Sequence, residues 1–221
     1  VILRMQALGL GAVENFPFIE APSGRAITDG WDLLAELGAV DEARQLTRTG
    51  RELSRLPLDP RIGRMILAAK ERSALAEVLV IAAALSVPDV RERPREAQQQ
   101  ADQAHAQFDD ERSEFLSWLK LWDWLEKSRG GKAQGEASEH PLATHKLTNR
   151  QWETLLRKNF ISIRRVREWR DVYSQLHTVV AEQRWRMNEQ PASYEQLHSS
   201  LLTGLLGNVG FKLENEDGYL G

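Results

Sequence analysis

Apolar residues recur at three- and four-residue spacing along most of this chain, which predicts a mainly α-helical protein. Trp31, Leu34 and Leu37 mark the inner stripe of a first helix, with Thr28 as its N-cap and Gly38 as the left-handed stop. Ala39-Val40 and Gln45-Leu46-Thr47 suit two small strands, and Thr49 suits the cap of a short helix that buries Leu53 and Leu56 before Pro57. Elements of this size are the ingredients of a winged-helix domain.

Asp59-Pro60 restarts the helical pattern, because proline at the first helical position gives up no needed N–H and aspartate caps the free donors. Ile62, Ile66 and Ala69 mark its buried face. Ser73 is the predicted cap of the next helix. Its Leu75, Val78, Leu79, Ile81, Ala82 and Leu85 are apolar nearly all round, as at the centre of a bundle, and Pro88 ends it. Pro94 to Phe108 reads as an outer helix with a stripe of Ala97, Ala101, Ala104 and Phe108. Phe115, Trp118, Leu119, Trp122 and Leu125 then give one strongly hydrophobic face.

Residues 127–146 lose all periodicity and read as a mobile inserted loop. Thr148 to Gln151 is a capping box opening a helix through Trp152 and Leu155. A longer helix is predicted to about Met187, with Ile163, Val166, Trp169, Tyr173, Leu176 and Val180 on one arc and Arg164, Glu168, Asp171 and Gln175 opposite. Ser193 to Gln196 is a second capping box, and Tyr194, Leu197, Leu201 and Leu205 form the last stripe before Gly207. Asn208 to Leu213 reads as a strand, with Asp217-Gly218 as a hairpin turn.

The 221 residues are 42% hydrophobic and include seven tryptophans, enough for a substantial core. No apolar run reaches the ~18 residues that would span a bilayer. The absence of cysteine excludes disulfides and thiolate zinc sites and is compatible with a cytoplasmic location. Starting at Val1 and ending at Leu220-Gly221, the chain reads as a fragment of a longer protein. A net charge of −3 does not mark a nucleic-acid binder, so such a function must rest on local charge. Residues 146–170 supply it: eight basic against two acidic side chains, a local +6.

Within that stripe Lys158, Asn159, Arg164 and Arg165 are candidate contacts to nucleic-acid phosphates and sugars, the cations releasing condensed counterions and the asparagine adding a hydrogen bond. The same residues also suit a solvated face balanced by nearby acids. Stacking on bases is open to the tryptophans, but their helical spacing assigns Trp118, Trp122 and Trp169 to the core. Arg91, Arg93 and Arg95 alternate with Glu92 and Glu96, the pattern of a salt-bridged loop. Asp109, Asp110, Glu111 and Glu114 sit at a helix start, where acids favour the macrodipole, and imply no catalytic carboxylate pair. His140 and His145 lack the partners of a metal site. Gly130-Gly131-Lys132 has Glu126 and Ala133 where a phosphate-binding loop needs glycine and Ser/Thr. Neither a catalytic nor a metal-binding residue is assigned.

Five segments resemble, in order, the C-terminal region of DEAH-box ATP-dependent RNA helicases of the bacterial HrpA type. They are LGLGAVENFPFIEAP at 8–22, LGAVDEARQLTRTGRELSRLPLDPRIGRMILAA at 37–69, SVPDVRERP at 86–94 with Ala101-Asp102, His105 and Phe108 following, NFISIRRVREWRDVYSQL at 159–176, and LLTGLLGNVG at 201–210. The resemblance implies the tail of a second RecA-like domain and its linker at 1–21, a winged helix at 22–60, a helical ratchet bundle at 61–190, and a last helix with the first strands of a truncated OB-fold at 191–221. It further implies a grip on single-stranded RNA and coupling to RecA-like motor domains, which would supply the ATP and Mg²⁺ chemistry, with any protein cofactor unidentified. Two other classes stay open: a winged-helix regulator of duplex DNA, against which Asp29, Asp32 and Glu36 speak, and a helical protein-interaction scaffold.

Without a phosphate-binding loop or a magnesium-holding acid, the purified chain is expected to hydrolyse no ATP. A phosphate-release assay with and without RNA checks this, and RNA-stimulated turnover would overturn it.

Overall fold

A computed structural model describes residues 1–129, 147–212 and 219–220. The predicted loop therefore lies, from 130 to 146, outside the described residues; its first two positions, Lys127 and Ser128, are still helical. The chain divides into two compact units, Val1–Arg72 with His198–Gly221, and Ser73–Leu197.

In the first unit, α1 (Ile2–Leu8) packs against α2 (Gly24–Glu36) and α3 (Arg48–Ser54), and α4 (Pro60–Glu71) packs on α3. Two caps differ from expectation. Helix α2 begins a turn early because the Ser23 hydroxyl accepts the Ala26 N–H at 3.2 Å, while Thr28, inside the helix, turns its hydroxyl back to the Gly24 carbonyl at 3.1 Å. Thr47, not Thr49, caps α3, accepting the Gly50 N–H at 3.0 Å and donating to the Gly38 carbonyl at 2.6 Å. One hydroxyl thus ties two helix ends together. The expected strands shrink to a single bridge, Val40 to Leu46, around a tight turn in which Asp41 Oδ1 accepts the Gln45 N–H and Arg44 takes φ 58°. Trp31, Leu34, Leu53 and Leu56 are buried as the pattern requires. Asp59 caps α4 with Pro60 at its start, as expected.

The second unit is built around α5 (Leu75–Leu85), buried on nearly every side. It packs against α7 (Glu114–Ser128) and α9 (Ile163–Glu182), and α8 (Asn149–Lys158) packs on α9. Ser73 does not cap α5. It takes a left-handed φ of 54°, and Asn188 reaches from 112 residues away to accept the Ala76 N–H at 2.8 Å. Asn188 also donates to Glu77 at 2.9 Å, so a distant loop does the work of a local cap. The outer segment is a short α6 (Gln98–His105) flanked by two 3-10 turns; Ala101 and Phe108 are buried. On α7 the buried stripe is Ser117, Trp118, Leu121, Trp122 and Leu125, with Leu121 taking the place expected of Leu119.

Both capping boxes form, Thr148 with Gln151 and Ser193 with Gln196. Helix α9 ends at Glu182 rather than near Met187, because Arg184 turns left-handed and the Trp185 N–H closes on the Val180 carbonyl. The final helix, α10 (Tyr194–Leu202), stops before Leu205. Beyond it β1 (Phe211–Lys212) pairs antiparallel with β2 (Tyr219–Leu220).

Gly50 and Gly24 offer a paired test. A Cβ at Gly50 would sit 2.0 Å from the Ala39 carbonyl oxygen, a backbone atom that cannot swing aside, whereas one at Gly24 meets nothing within 4 Å. Gly50→Ala is expected to destabilise the protein by about 2 kcal/mol or more, and Gly24→Ala to be neutral or slightly stabilising. Urea unfolding midpoints measure both.

Candidate nucleic-acid interface

Two segments 70 residues apart in sequence are stitched together on the second unit. Arg91 and Ile161 form an antiparallel bridge, the Glu92 N–H donates to the Phe160 carbonyl at 2.8 Å, and the Ser162 N–H donates to the Val90 carbonyl at 2.8 Å. Val90 and Ile161 are buried beneath it. His105 Nε2 lies 3.1 Å from the Phe160 carbonyl, and Gln107 donates to Asn159 Oδ1 at 3.0 Å. This brace holds the turn between α8 and α9, where the basic stripe is densest. Periodicity carried no signal of it, because a bridge of one residue pair has no repeat to detect.

Arg91 is the electrostatic centre of the brace. Its guanidinium meets Asp89 at 2.9 Å and Glu114, and stacks on Trp118 with 4.7 Å to the ring centroid. Burial works against its charge, yet the hydrogen bonds and charges of Asp89 and Glu114 outweigh that and hold it above its ordinary value. Arg93 pairs with Asp102 at 2.6 Å. The loop is salt-bridged as expected, but its partners are Asp89, Asp102 and Glu114 rather than the neighbouring Glu92 and Glu96. The hollow beside it is lined by Asp89, Asp102 and Asp109 against Arg91 and Arg93, a balance that does not favour an anion.

The four candidate contacts divide into two kinds. Lys158, in the last turn of α8, is exposed and makes no ion pair among the described residues. Arg164 is 83% exposed and touches Glu168 at 3.2 Å, the one-turn pairing of a solvent face that is worth only a few tenths of a kcal/mol (~0.3–0.5). Asn159 is instead the C-cap of α8: it donates to the Leu155 carbonyl at 2.9 Å and accepts from Gln107. Arg165 donates to the Asp89 carbonyl at 2.7 Å and so fastens α9 to the brace. Two side chains hold the turn and two present charge.

Of the remaining stripe, Arg167 pairs with Glu153 at 2.8 Å. Arg170 pairs with Glu126 and lies between Trp122 and Trp152, its Nε buried without a hydrogen-bond partner among the described residues, and burial lowers its affinity for its proton. Arg157, beside Lys158, and Arg150, at the start of α8, are exposed. Trp118, Trp122 and Trp169 pack edge to face, with centroids 4.8 to 5.4 Å apart where they meet, and belong to the core.

The description "helicase associated domain (HA2), winged-helix" matches residues 31–58, and "helicase associated domain (HA2), ratchet-like" matches residues 59–128. Over its whole length the chain is 42% identical to the ATP-dependent RNA helicase HrpA homolog of Haemophilus influenzae and 43% identical to the ATP-dependent RNA helicase HrpA of Escherichia coli. It spans 16% of the length of each. Over 58% of the chain it is 33% identical to 11% of the pre-mRNA-splicing factor ATP-dependent RNA helicase prp22 of Schizosaccharomyces pombe. Lys158, Asn159, Arg164 and Arg165 lie beyond the two family-model matches and inside the span aligned with the bacterial proteins.

The brace can be tested apart from any ligand. Arg91→Met strips two carboxylates of their cation and should cost about 1–3 kcal/mol in urea unfolding, whereas Arg93→Met, at a more exposed pair, should cost under about 0.5. Equal effects would show that Arg91 is not the centre of the brace.

Proposed function

The chain belongs to the helicase-associated, C-terminal region of the HrpA-type DEAH-box RNA helicases, and from that premise we propose that it grips single-stranded RNA and couples it to RecA-like motor domains. The observation that carries this reading is the pairing of exposed charge with a rigid mount: Lys158 and Arg164 face solvent on a turn whose backbone is bridged to the Val90–Glu92 segment. Phosphate binding gains most when the cations need not be ordered at the moment of contact. Asn159 and Arg165 act as the mount's fasteners.

In this reading residues 1–21 lead from the second RecA-like domain, 22–60 form the winged helix, 61–190 the ratchet bundle, and 191–221 the last helix and the start of an OB-fold, to which the β1–β2 pair belongs. The motor domains hold ATP and Mg²⁺ and perform the hydrolysis; the chain supplies grip and coupling, in the cytoplasm. A duplex-DNA regulator is the weaker alternative, since α2 exposes Asp29, Asp32 and Glu36 and its one cation, Arg25, lies 4.0 Å from Asp29. A helical scaffold without RNA contact predicts no RNA binding at all.

The charged pair is separable from the fasteners. In the intact protein Lys158→Gln with Arg164→Gln should leave the melting temperature within a degree or two, weaken single-stranded RNA binding alike for different sequences, and lower the salt slope by roughly 0.7 per lost contact. Arg165→Gln should instead lower stability by about 1 kcal/mol through loss of its bond to the Asp89 carbonyl. Anisotropy titrations at several salt concentrations read the first, and unfolding curves the second. An unchanged slope in the double variant would make the stripe a solvated surface.

A further inference from the structure

Helix α8 ends in a double closure, with the Phe160 N–H on the Arg157 carbonyl at 3.1 Å and the Ile161 N–H on the Leu156 carbonyl at 3.0 Å. The residue inside such a closure turns left-handed, and glycine is the usual occupant because it has no Cβ to clash. Gly38 fills the matching position after α2, with φ 66°. After α8 the occupant is Phe160, with φ 53°. Among the described residues four non-glycine positions have positive φ: Arg44, Ser73, Phe160 and Arg184; only Phe160 is apolar. A bulky side chain there is costly, and such strain persists only where the surroundings fix the backbone.

The brace does so. The Phe160 carbonyl accepts the Glu92 N–H at 2.8 Å and lies 3.1 Å from His105 Nε2, and the next residue, Ile161, is 2% exposed in its bridge to Arg91. That explains how the strain is held, but not why an aromatic ring occupies the place. Phe160 is only half-buried, and its ring packs against no other aromatic ring among the described residues, unlike Trp118, Trp122 and Trp169. In sequence it stands between the exposed Lys158 and Arg164. A π-face beside cations that track a backbone is the arrangement of sequence-tolerant single-strand binders.

We infer that Phe160 stacks on a base of the RNA strand whose phosphates Lys158 and Arg164 contact, which makes this edge selective for single strands. The inference rests on the RNA-gripping reading and names its mode. Duplex bases are stacked on each other and cannot take the ring, whereas phosphate contacts alone serve both forms.

The test uses the intact protein with a fluorescein-labelled uridine dodecamer, alone and as a duplex with an adenosine dodecamer. Phe160→Leu keeps apolar bulk and the same backbone strain but removes the π-face. It should weaken single-strand binding by roughly five-fold or more, leave duplex binding and the salt slope unchanged, and melt like the parent, while Phe160→Tyr binds as the parent does. If Phe160→Leu binds normally while Lys158→Gln with Arg164→Gln weakens, the ring is packing and this inference falls with the RNA reading intact. If the charge variant also binds normally, the RNA reading itself falls. Should the leucine variant not fold, Phe160→Trp decides: a larger π-face must tighten single-strand binding, and unchanged or weaker binding overturns the inference.

Discussion

The second unit depends on one indole. Trp169 is completely buried, its Nε1–H donates to the Val80 carbonyl in the middle of α5 at 3.0 Å, and its ring meets Trp118 and Trp122 edge on. A buried indole N–H left without an acceptor would cost its desolvation, on the order of 1–3 kcal/mol, so the rotation of α9 about its own axis is fixed by a polar requirement inside an apolar core. Once Trp169 is seated against α5, Val166, Leu176 and Val180 follow it inward by helical spacing. The opposite face then carries Arg164 and Glu168 to solvent.

The start of α9 is positioned by a different force. Its first turn is tied by backbone hydrogen bonds to the segment around Val90, and Arg165 adds a side-chain bond to the Asp89 carbonyl. Arg91 then connects that segment to α7 through Glu114 and Trp118. Neutralised on two sides and set over the Trp118 ring, this guanidinium is a strut rather than a ligand-binding cation. Among the described residues of the segment, the charge left for a partner is that of Arg150, Arg157, Lys158 and Arg164. A local charge of +6 counted along the sequence therefore overstates what the surface offers, because Arg165, Arg167 and Arg170 are committed to internal partners.

Caps show where local reading succeeds and where it fails. Asp59-Pro60 and the boxes Thr148 to Gln151 and Ser193 to Gln196 are complete within four residues, and all three form. Ser73 has the composition of a cap but not its role, since Asn188 satisfies the α5 start from a distance and is itself held there by Glu77 of the same helix. Thr28 and Thr49 lost to Ser23 and Thr47, which stand earlier in the chain and accept the free N–H groups of Ala26 and Gly50.

The sequence alone determined the helical class, the all-round apolar α5, the tryptophan core and the identity of the basic segment, because each is written as a periodicity or a capping motif within a single element. It also supplied the order of motifs by which the helicase-associated region is recognised. Only the tertiary structure decided which cations of that segment remain free, which pin the turn, and that an aromatic residue is held left-handed between them. Those outcomes depend on a backbone bridge between Arg91 and Ile161, a contact made by peptide groups that every residue carries, and so it leaves no trace in the identity of the side chains.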